Sequence, residues 1–399
     1  MRISTITIYN QHTSSMNKQQ ADVMKVGQQI ASGKRVTTIS DDPQAMTQAV
    51  ALSQSQAVTQ QFVDARIGVR NSLGQEESVL NSVTEIYSRA KTLMVQAANG
   101  TLGDADRSSV GSELKSLYES LVGLANSGDG NGRYLFGGYQ DDTAPFVRQP
   151  DGSVSFNGST EIREQRVDAD RLMATGHTGD EIFRQVHSSA GYLVDASPAN
   201  GGTMTFGAVE ILDPSDPQFG QAFDVNFGGT AAAPTYSVNG GAAVAYNAPQ
   251  DIEVGGLRVR LEGQPAVGDT LRIAPAEQGN TDIFRTFERA ITALDTPALT
   301  DSDKANLRNT VNVVMNELDN GLDNVLTVRA EVGARFNELD TLDAISANRM
   351  IGYKQAMSDL VDLNYVEAAS EYSMRMVGLQ AAQQSFAKVK DLSLFNYLR

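Results

Sequence analysis

Apolar residues recur at helical spacing in the first third of the chain. From Leu80 they step by 3, 4, 3, 4 and 3 residues to Ala97, which is the spacing of a coiled-coil seam. The register extends backwards, where Arg66 and Glu76 interrupt it with charge. The pattern predicts a long helix whose apolar stripe consists of Leu73, Leu80, Val83, Tyr87, Ala90, Met94 and Ala97.

Local signals mark where this helix begins and ends. Asp42 precedes Pro43, and these residue types suit the N-cap and the first helical position. The helix should stop at Asn99 and Gly100, because glycine commonly follows a helix end. Residues 43–98 would then form a rod about 80 Å long.

Further helices are predicted on both sides of the chain centre. One begins at Asp104 and uses leucines spaced by three and four residues. In the last third, Thr300 and Asp303 form a variant of the capping box. Apolar residues then keep helical spacing from Leu307 to Leu342, and no proline follows Pro297.

Both ends of the chain carry narrow apolar stripes among polar residues. Such segments bury too little surface to be stable alone, so each needs a partner helix. The partner is either the opposite end of the same chain, in ordinary packing, or a neighbouring chain, as in a polymer subunit. These predicted interface residues are Met16, Val23, Val26 and Ile30 near the start and Tyr365, Tyr372, Met376, Leu379, Phe386, Val389, Leu392, Phe395 and Leu398 near the end.

The centre of the chain has a different composition. Residues 131–280 hold 21 of the 35 glycines and 9 of the 11 prolines, residues that break helices. Short apolar alternations lie on either side of turn signals such as Pro150-Asp151-Gly152 and Asn239-Gly240, which is typical of β-hairpins. The centre is therefore predicted to be a β-rich insert without helices.

Together these patterns predict a mainly α fold with a β-rich insert. The molecule should be elongated and layered, with N- and C-terminal helices paired in a coiled-coil-like rod and an outer β domain inserted between them. Three domains are predicted: a terminal coiled-coil assembly domain of residues 1–42 and 362–399, a helical rod of residues 43–140 and 281–361, and an outer β domain of residues 141–280.

Charge and composition exclude several classes of partner. The chain has 48 acidic and 32 basic residues, so neither nucleic acid nor an anionic membrane is an expected partner. No apolar run has the length of a membrane span. The first residues lack the apolar core of a cleavable signal peptide. The protein is therefore either cytoplasmic or exported by a route that needs no such signal.

Candidate catalytic and metal-binding motifs are weak. The chain has no cysteine and three scattered histidines, His12, His177 and His187, which we interpret as surface or hydrogen-bonded polar residues. Gly27 and Gly33 before Lys34 are one residue too far apart for a phosphate-binding loop. We therefore predict no enzyme activity, no cofactor and no metal site.

Three separated stretches resemble the bacterial flagellin family. The first joins residues 1–5 and 30–36 to Asp41-Asp42-Pro43, the second begins at Asp104 and ends in the loop at 129–138, and the third covers 328–339, 362–365 and 392–395. The match spans both helical flanks, roughly 1–140 and 281–399. The residues that carry the family motifs are Gly33, Arg35, Asp41, Asp42, Pro43, Asp106, Arg107, Gly333, Arg335 and Asp362.

The resemblance implies how the protein is exported and assembled. Terminal helices would form an inner coiled coil, and the chain would leave the cell through the flagellar type III apparatus to an extracellular site on the flagellum. A cytosolic export chaperone would cover the C-terminal helix before assembly. The expected partners are further copies of this chain in a ring, the first hook-associated protein and flagellin.

Three details favour the branch of the family that joins hook to filament over filament flagellin. The loop Tyr134-Leu135-Phe136-Gly137-Gly138 and the segment Gly263-Gln264-Pro265 before Gly268-Asp269 resemble that branch. The chain also ends with a single leucine before Arg399, unlike flagellin. Flagellin is the alternative, and an enzyme or adhesin carried on a coiled-coil stalk is a third possibility.

Overall fold

The computed structural model describes residues 5–99, 102–187 and 190–391. Its described residues contain seven α-helices, and the long ones confirm the helices predicted at both ends. Their bounds are α1 Thr5–Ser32, α2 Pro43–Ala97, α3 Asp104–Ala125, α4 Gly179–Phe183, α5 Ile283–Asp295, α6 Asp301–Val361 and α7 Tyr365–Asp391.

The predicted caps explain where the two longest helices begin. The Asp42 carboxylate accepts a hydrogen bond from the Ala45 N–H at 3.0 Å, and Pro43 is the first residue of α2. Thr300 and Asp303 exchange hydrogen bonds at the start of α6: the Thr300 N–H donates to the Asp303 carboxylate at 2.8 Å, and the Asp303 N–H donates to the Thr300 hydroxyl at 3.1 Å. Both capping predictions are confirmed.

The described residues of the centre form twelve short strands, all paired antiparallel. They build two isolated hairpins (β1–β2 and β3–β4), a three-stranded sheet in the order β10-β11-β6, and a five-stranded sheet in the order β5-β12-β7-β8-β9. Their bounds are β1 Phe146–Arg148, β2 Val154–Phe156, β3 Glu164–Asp168, β4 Arg171–Ala174, β5 Tyr192–Ala196, β6 Thr205–Ile211, β7 Phe223–Thr230, β8 Ala233–Val238, β9 Val244–Ala245, β10 Gln250–Val254, β11 Leu257–Glu262 and β12 Thr270–Pro275.

Predicted turns connect these strands, and one prediction about the centre is wrong. Asn239 and Gly240 both have positive φ, 49° and 71°, and bring Tyr236 opposite Val244. The centre is not free of helix, because it contains α4 and a single 3₁₀ turn at Ala276–Gln278. The Thr178 hydroxyl caps α4 by accepting a hydrogen bond from the Glu181 N–H. A capped helical turn therefore forms here in spite of the glycine- and proline-rich composition of the centre.

The chain divides into two compact units. The terminal unit consists of residues 1–64 and 341–399, and the central unit consists of residues 65–340. Each of the helices α2 and α6 is divided between the units, with one part in the terminal unit and the other in the central unit. Each unit has its own packing, and we describe them separately.

The central unit has a helical core built on the predicted seam. The seam residues of α2 from Leu73 to Ala97 are buried. Beside them, Phe284 of α5 lies against Phe146 and Phe183, with ring centroids 4.9 and 5.8 Å apart. The charged interruptions of the seam are also buried, and Arg66 donates to the Val167 carbonyl at 2.7 Å. The two charged positions are therefore sites where the helix bonds to the centre of the chain.

Asparagines on α6 bond to the edge of the three-stranded sheet. The Asn309 amide donates to the Met204 carbonyl at 2.9 Å and accepts from the Phe206 N–H at 3.3 Å. Asn312 donates to the Phe206 carbonyl at 3.0 Å. These bonds satisfy backbone groups at the edge of β6 that a neighbouring strand would otherwise satisfy. Val313 adds an apolar contact to the second core, which fills the space between the sheets.

Candidate functional site

The two terminal helices pack against each other in antiparallel orientation. The rings of Tyr9 and Phe386 are 5.3 Å apart, and Asp22 and Arg375 form an ion pair at 2.7 Å. Because early residues of α1 meet late residues of α7, the helices run in opposite directions. Helices from opposite ends of the described chain therefore meet within one molecule, in the terminal unit.

The predicted interface stripes lie partly within this pair. Val23 and Val26 are buried, and Met16, Ile30, Tyr372, Leu379 and Phe386 are partly buried. Tyr365 and Met376 are exposed instead. The side chain of Val389 and the whole of Leu392, Phe395 and Leu398 lie outside the described residues. Packing within the chain thus uses much of the stripe.

A second set of apolar side chains on these helices is exposed, and the sequence analysis missed it. Met24 on α1 and Val366, Met374 and Val377 on α7 are between 66% and 80% exposed. Asp22 and Gly27 of α1 lie next to Arg375 and Tyr372 of α7. In sequence, Met24 lies between the two α1 residues and Met374 lies between the two α7 residues. We call Met24, Val366, Met374 and Val377 the exposed apolar residues of α1 and α7. Their only sequence signal is a weak helical spacing outside the main stripe.

The turn after α1 is bonded to the break between α6 and α7. The Leu363 N–H donates to the Gly33 carbonyl at 3.0 Å, and the Arg35 N–H donates to the Val361 carbonyl at 2.8 Å. The Arg35 guanidinium reaches the Leu360 carbonyl at 2.7 Å, and Lys34 pairs with Asp362 in an antiparallel bridge. These contacts, which we call the clasp, join two segments more than three hundred residues apart in the chain.

Gly33 is required by the clasp for two reasons. Its φ is +70°, in the left-handed region that side chains other than glycine rarely adopt. A Cβ at this position would also lie 2.8 Å from the Tyr365 hydroxyl. The glycine of the family motif therefore permits both the turn and the close approach of α7.

Asp41 and Asp42 organise the other side of the clasp. The Asp41 carboxylate accepts from the Thr38 N–H at 2.9 Å and pairs with Lys25 at 2.8 Å. The hydrogen bond from Lys25 and the backbone bond from Thr38 hold the pKa of Asp41 well below its usual range. Asp42 caps α2 and faces the Arg35 guanidinium at 3.5 Å. The structure thus brings together six motif residues, namely Gly33, Arg35, Asp41, Asp42, Pro43 and Asp362.

The other motif residues lie in the central unit. Asp106 is exposed in the first turn of α3, while Arg107 is buried and donates to the Leu102 carbonyl at 3.0 Å. Gly333 lies inside α6, where an added Cβ would meet open space. Arg335 donates to Glu331 at 3.3 Å. Arg107 thus bonds to the backbone just before α3, and Arg335 pairs with a carboxylate on its own helix. The clasp, as defined above, includes none of these four motif residues.

Among the described residues, no group of three side chains is placed to hold a metal ion. No helix in the described part of the chain is long and apolar enough to cross a membrane.

Comparison with known proteins gives full-length matches. Residues 3–141 match the family model of the bacterial flagellin N-terminal helical region. Flagellar hook-associated protein 3 of Escherichia coli strain K12 is 35% identical over 396 residues, 99% of each chain. The protein of the same name from Salmonella typhimurium strain LT2 is 34% identical over 400 residues, 100% of each chain. The crystal structure of FlgL from Xanthomonas campestris is 29% identical, with a TM-score of 0.68 over 77% of this chain and 99% of that one.

Proposed function

Because the chain belongs to the flagellar hook-associated protein 3 family, we propose that it joins the hook of the bacterial flagellum to the filament. It is a structural component of the flagellum. The observation that carries this function is identity of 35% across 99% of the chain, including the β-rich centre.

We infer that the terminal helices are the assembly domain. Support comes from the exposed apolar residues of α1 and α7. Val366, Met374 and Val377 follow one another at steps of eight and three residues, so they share one side of α7, and exposed apolar side chains grouped in this way mark sites of protein association. In this proposal, residues 1–42 and 362–399 form the inner layer, residues 43–140 and 281–361 form the rod, and residues 141–280 form the outer domain. Copies of the chain would form a ring between the first hook-associated protein and flagellin.

Export and chaperoning belong to the same proposal. The chain would travel unfolded through the flagellar export apparatus and reach the outside of the cell. A cytosolic chaperone would bind α7 beforehand, and the exposed Val366, Met374 and Val377 support a need for such cover. The role we propose is structural, without a catalytic or cofactor site. The names of the relatives, which describe flagellar components, support that view.

Seeded polymerisation distinguishes this function from that of a filament flagellin. We expect the purified chain, added to sheared flagellar filaments, to cap the ends without extending them into long filaments. The reason is that a junction protein must stop at one layer, whereas flagellin repeats the same contact indefinitely. Filament length is measured by negative-stain electron microscopy, with flagellin itself as the positive control. Long filaments made of this chain would overturn the proposal.

A further inference from the structure

His177 lies buried between two carboxylates from the two longest helices. Its Nδ1 is 2.6 Å from a Glu76 carboxylate oxygen on α2, and its Nε2 is 3.2 Å from a Glu331 carboxylate oxygen on α6. The imidazole has no solvent exposure, and the Glu76 side chain is almost fully buried too. His177 directly precedes Thr178, the N-cap of α4. One side chain from the centre of the chain thus contacts both α2 and α6.

The geometry indicates the charge state of this histidine. A neutral imidazole carries one N–H donor, and an imidazolium carries two. Because both ring nitrogens face carboxylate oxygens, both contacts are hydrogen bonds only when the ring is protonated. The second carboxylate oxygen of Glu76 is buried without a hydrogen-bond partner among the described residues. An uncompensated buried carboxylate is costly, so the positive ring also balances Glu76.

Other charged groups surround the ring from each packed element. On α6, Arg335 donates to Glu331 at 3.3 Å and opposes protonation of the ring. Next to Glu76 on α2, Glu77 is paired with Arg329 at 2.8 Å. A cavity of about 200 Å³ adjoins His177 and Glu76. The other charged residues that line it are Asp129, Arg133, Asp141 and Arg163.

These opposing effects have a net direction. Burial lowers the pKa of His177, but the hydrogen bond and the charge of Glu76, helped by the hydrogen bond of Glu331, outweigh burial and the Arg335 charge. The pKa of His177 is therefore raised above its ordinary value. The folded chain keeps a proton that the unfolded chain releases.

We propose that His177 is a proton-operated latch: as an imidazolium it ties the segment before α4 to α2 and α6 at once, and loss of its proton as the pH rises releases that tie. The latch lies entirely in the central unit. It requires no assembled flagellum, so it can be tested on the purified full-length chain.

The expected pH dependence follows from proton linkage. Below the unfolded pKa of 6.5 both states bind the proton, and the stabilisation from the latch is complete. Between 6.5 and the raised pKa of the folded chain, only the folded state binds the proton. The unfolding equilibrium constant should therefore rise about tenfold for each pH unit in this window. Above the folded pKa, the stabilisation is lost.

Two measurements test the latch. The chain has three histidines, so a His12→Gln/His187→Gln variant leaves only the His177 imidazole signal in an NMR titration. We expect that signal to titrate above 6.5, and to titrate at lower pH when Glu76→Gln is added. Urea unfolding from pH 6 to 9.5 should show the predicted loss of stability in this variant, and a much flatter profile after Glu76→Gln or His177→Gln.

Clear outcomes would overturn the proposal. Titration of His177 at or below 6.5 would show that the ring is neutral between the carboxylates. An unchanged pH profile of unfolding in Glu76→Gln would show that another group causes the dependence. Glu76→Gln retains the size and a hydrogen-bond acceptor at this position, so the test does not depend on whether His177→Gln folds.

Discussion

Replacing Gly33 with alanine should open the clasp and abolish most swimming. The substitution places a side chain at φ +70°, which costs about 1–2 kcal/mol, and moves a Cβ to within 2.8 Å of the Tyr365 hydroxyl. The bond from the Leu363 N–H to the Gly33 carbonyl should break. Hydrogen exchange at Leu363 in the purified chain, and swimming halos in a complemented deletion strain, measure the two effects.

Gly27→Ala is the matched control for this prediction. Gly27 lies inside α1, six residues before Gly33, and its φ is not positive. An added Cβ would lie 3.6 Å from the Tyr372 ring, an ordinary contact. We expect wild-type exchange and swimming from this variant. If Gly33→Ala behaved like Gly27→Ala in both assays, the clasp would not be needed for assembly.

Phe284→Ala should cause a large loss of stability in the central unit. Phe284 has no solvent exposure and lies 4.9 Å from the Phe146 ring, 5.8 Å from Phe183 and 6.4 Å from Tyr118, centroid to centroid. Truncating a buried phenylalanine removes apolar burial and leaves a cavity, at a cost of roughly 3–5 kcal/mol. Urea unfolding of the full-length chain, followed by circular dichroism, measures the shift in midpoint.

Leu299→Ala provides the comparison for this core substitution. Leu299 is 78% exposed in the loop between α5 and α6, and surface substitutions of this kind usually change stability by less than about 0.5 kcal/mol. Equal midpoints for Phe284→Ala and Leu299→Ala would mean that the aromatic cluster does not hold the α5 region together.

Sequence reasoning was most successful where the determinants are local. The predicted helix 43–98 differs from α2, Pro43–Ala97, by one residue, because the Asp42 cap, Pro43 and the Asn99-Gly100 stop are all read from neighbouring residues. The Asn239-Gly240 hairpin was predictable for the same reason. Apolar spacing also identified the buried seam, since a stripe that repeats every three or four residues has few alternative structures.

Contacts between distant segments could not be predicted in the same way. Glu76 looked like an interruption of the seam, yet it binds His177, 101 residues away. The asparagines of α6 bond to β6 about one hundred residues earlier, with no signal in their own neighbourhood. The terminal stripe identified apolar positions but not which of them face the partner helix, so Tyr365 and Met376 are exposed whereas Val23 and Val26 are buried.

Electron microscopy of flagella from a strain that lacks this chain tests the central claim most directly. If the chain is the structural junction between hook and filament, cells should carry hooks without filaments, and flagellin should accumulate in the medium. Restoring the wild-type chain should restore attached filaments. Filaments of normal length attached to hooks in the deletion strain would contradict the account.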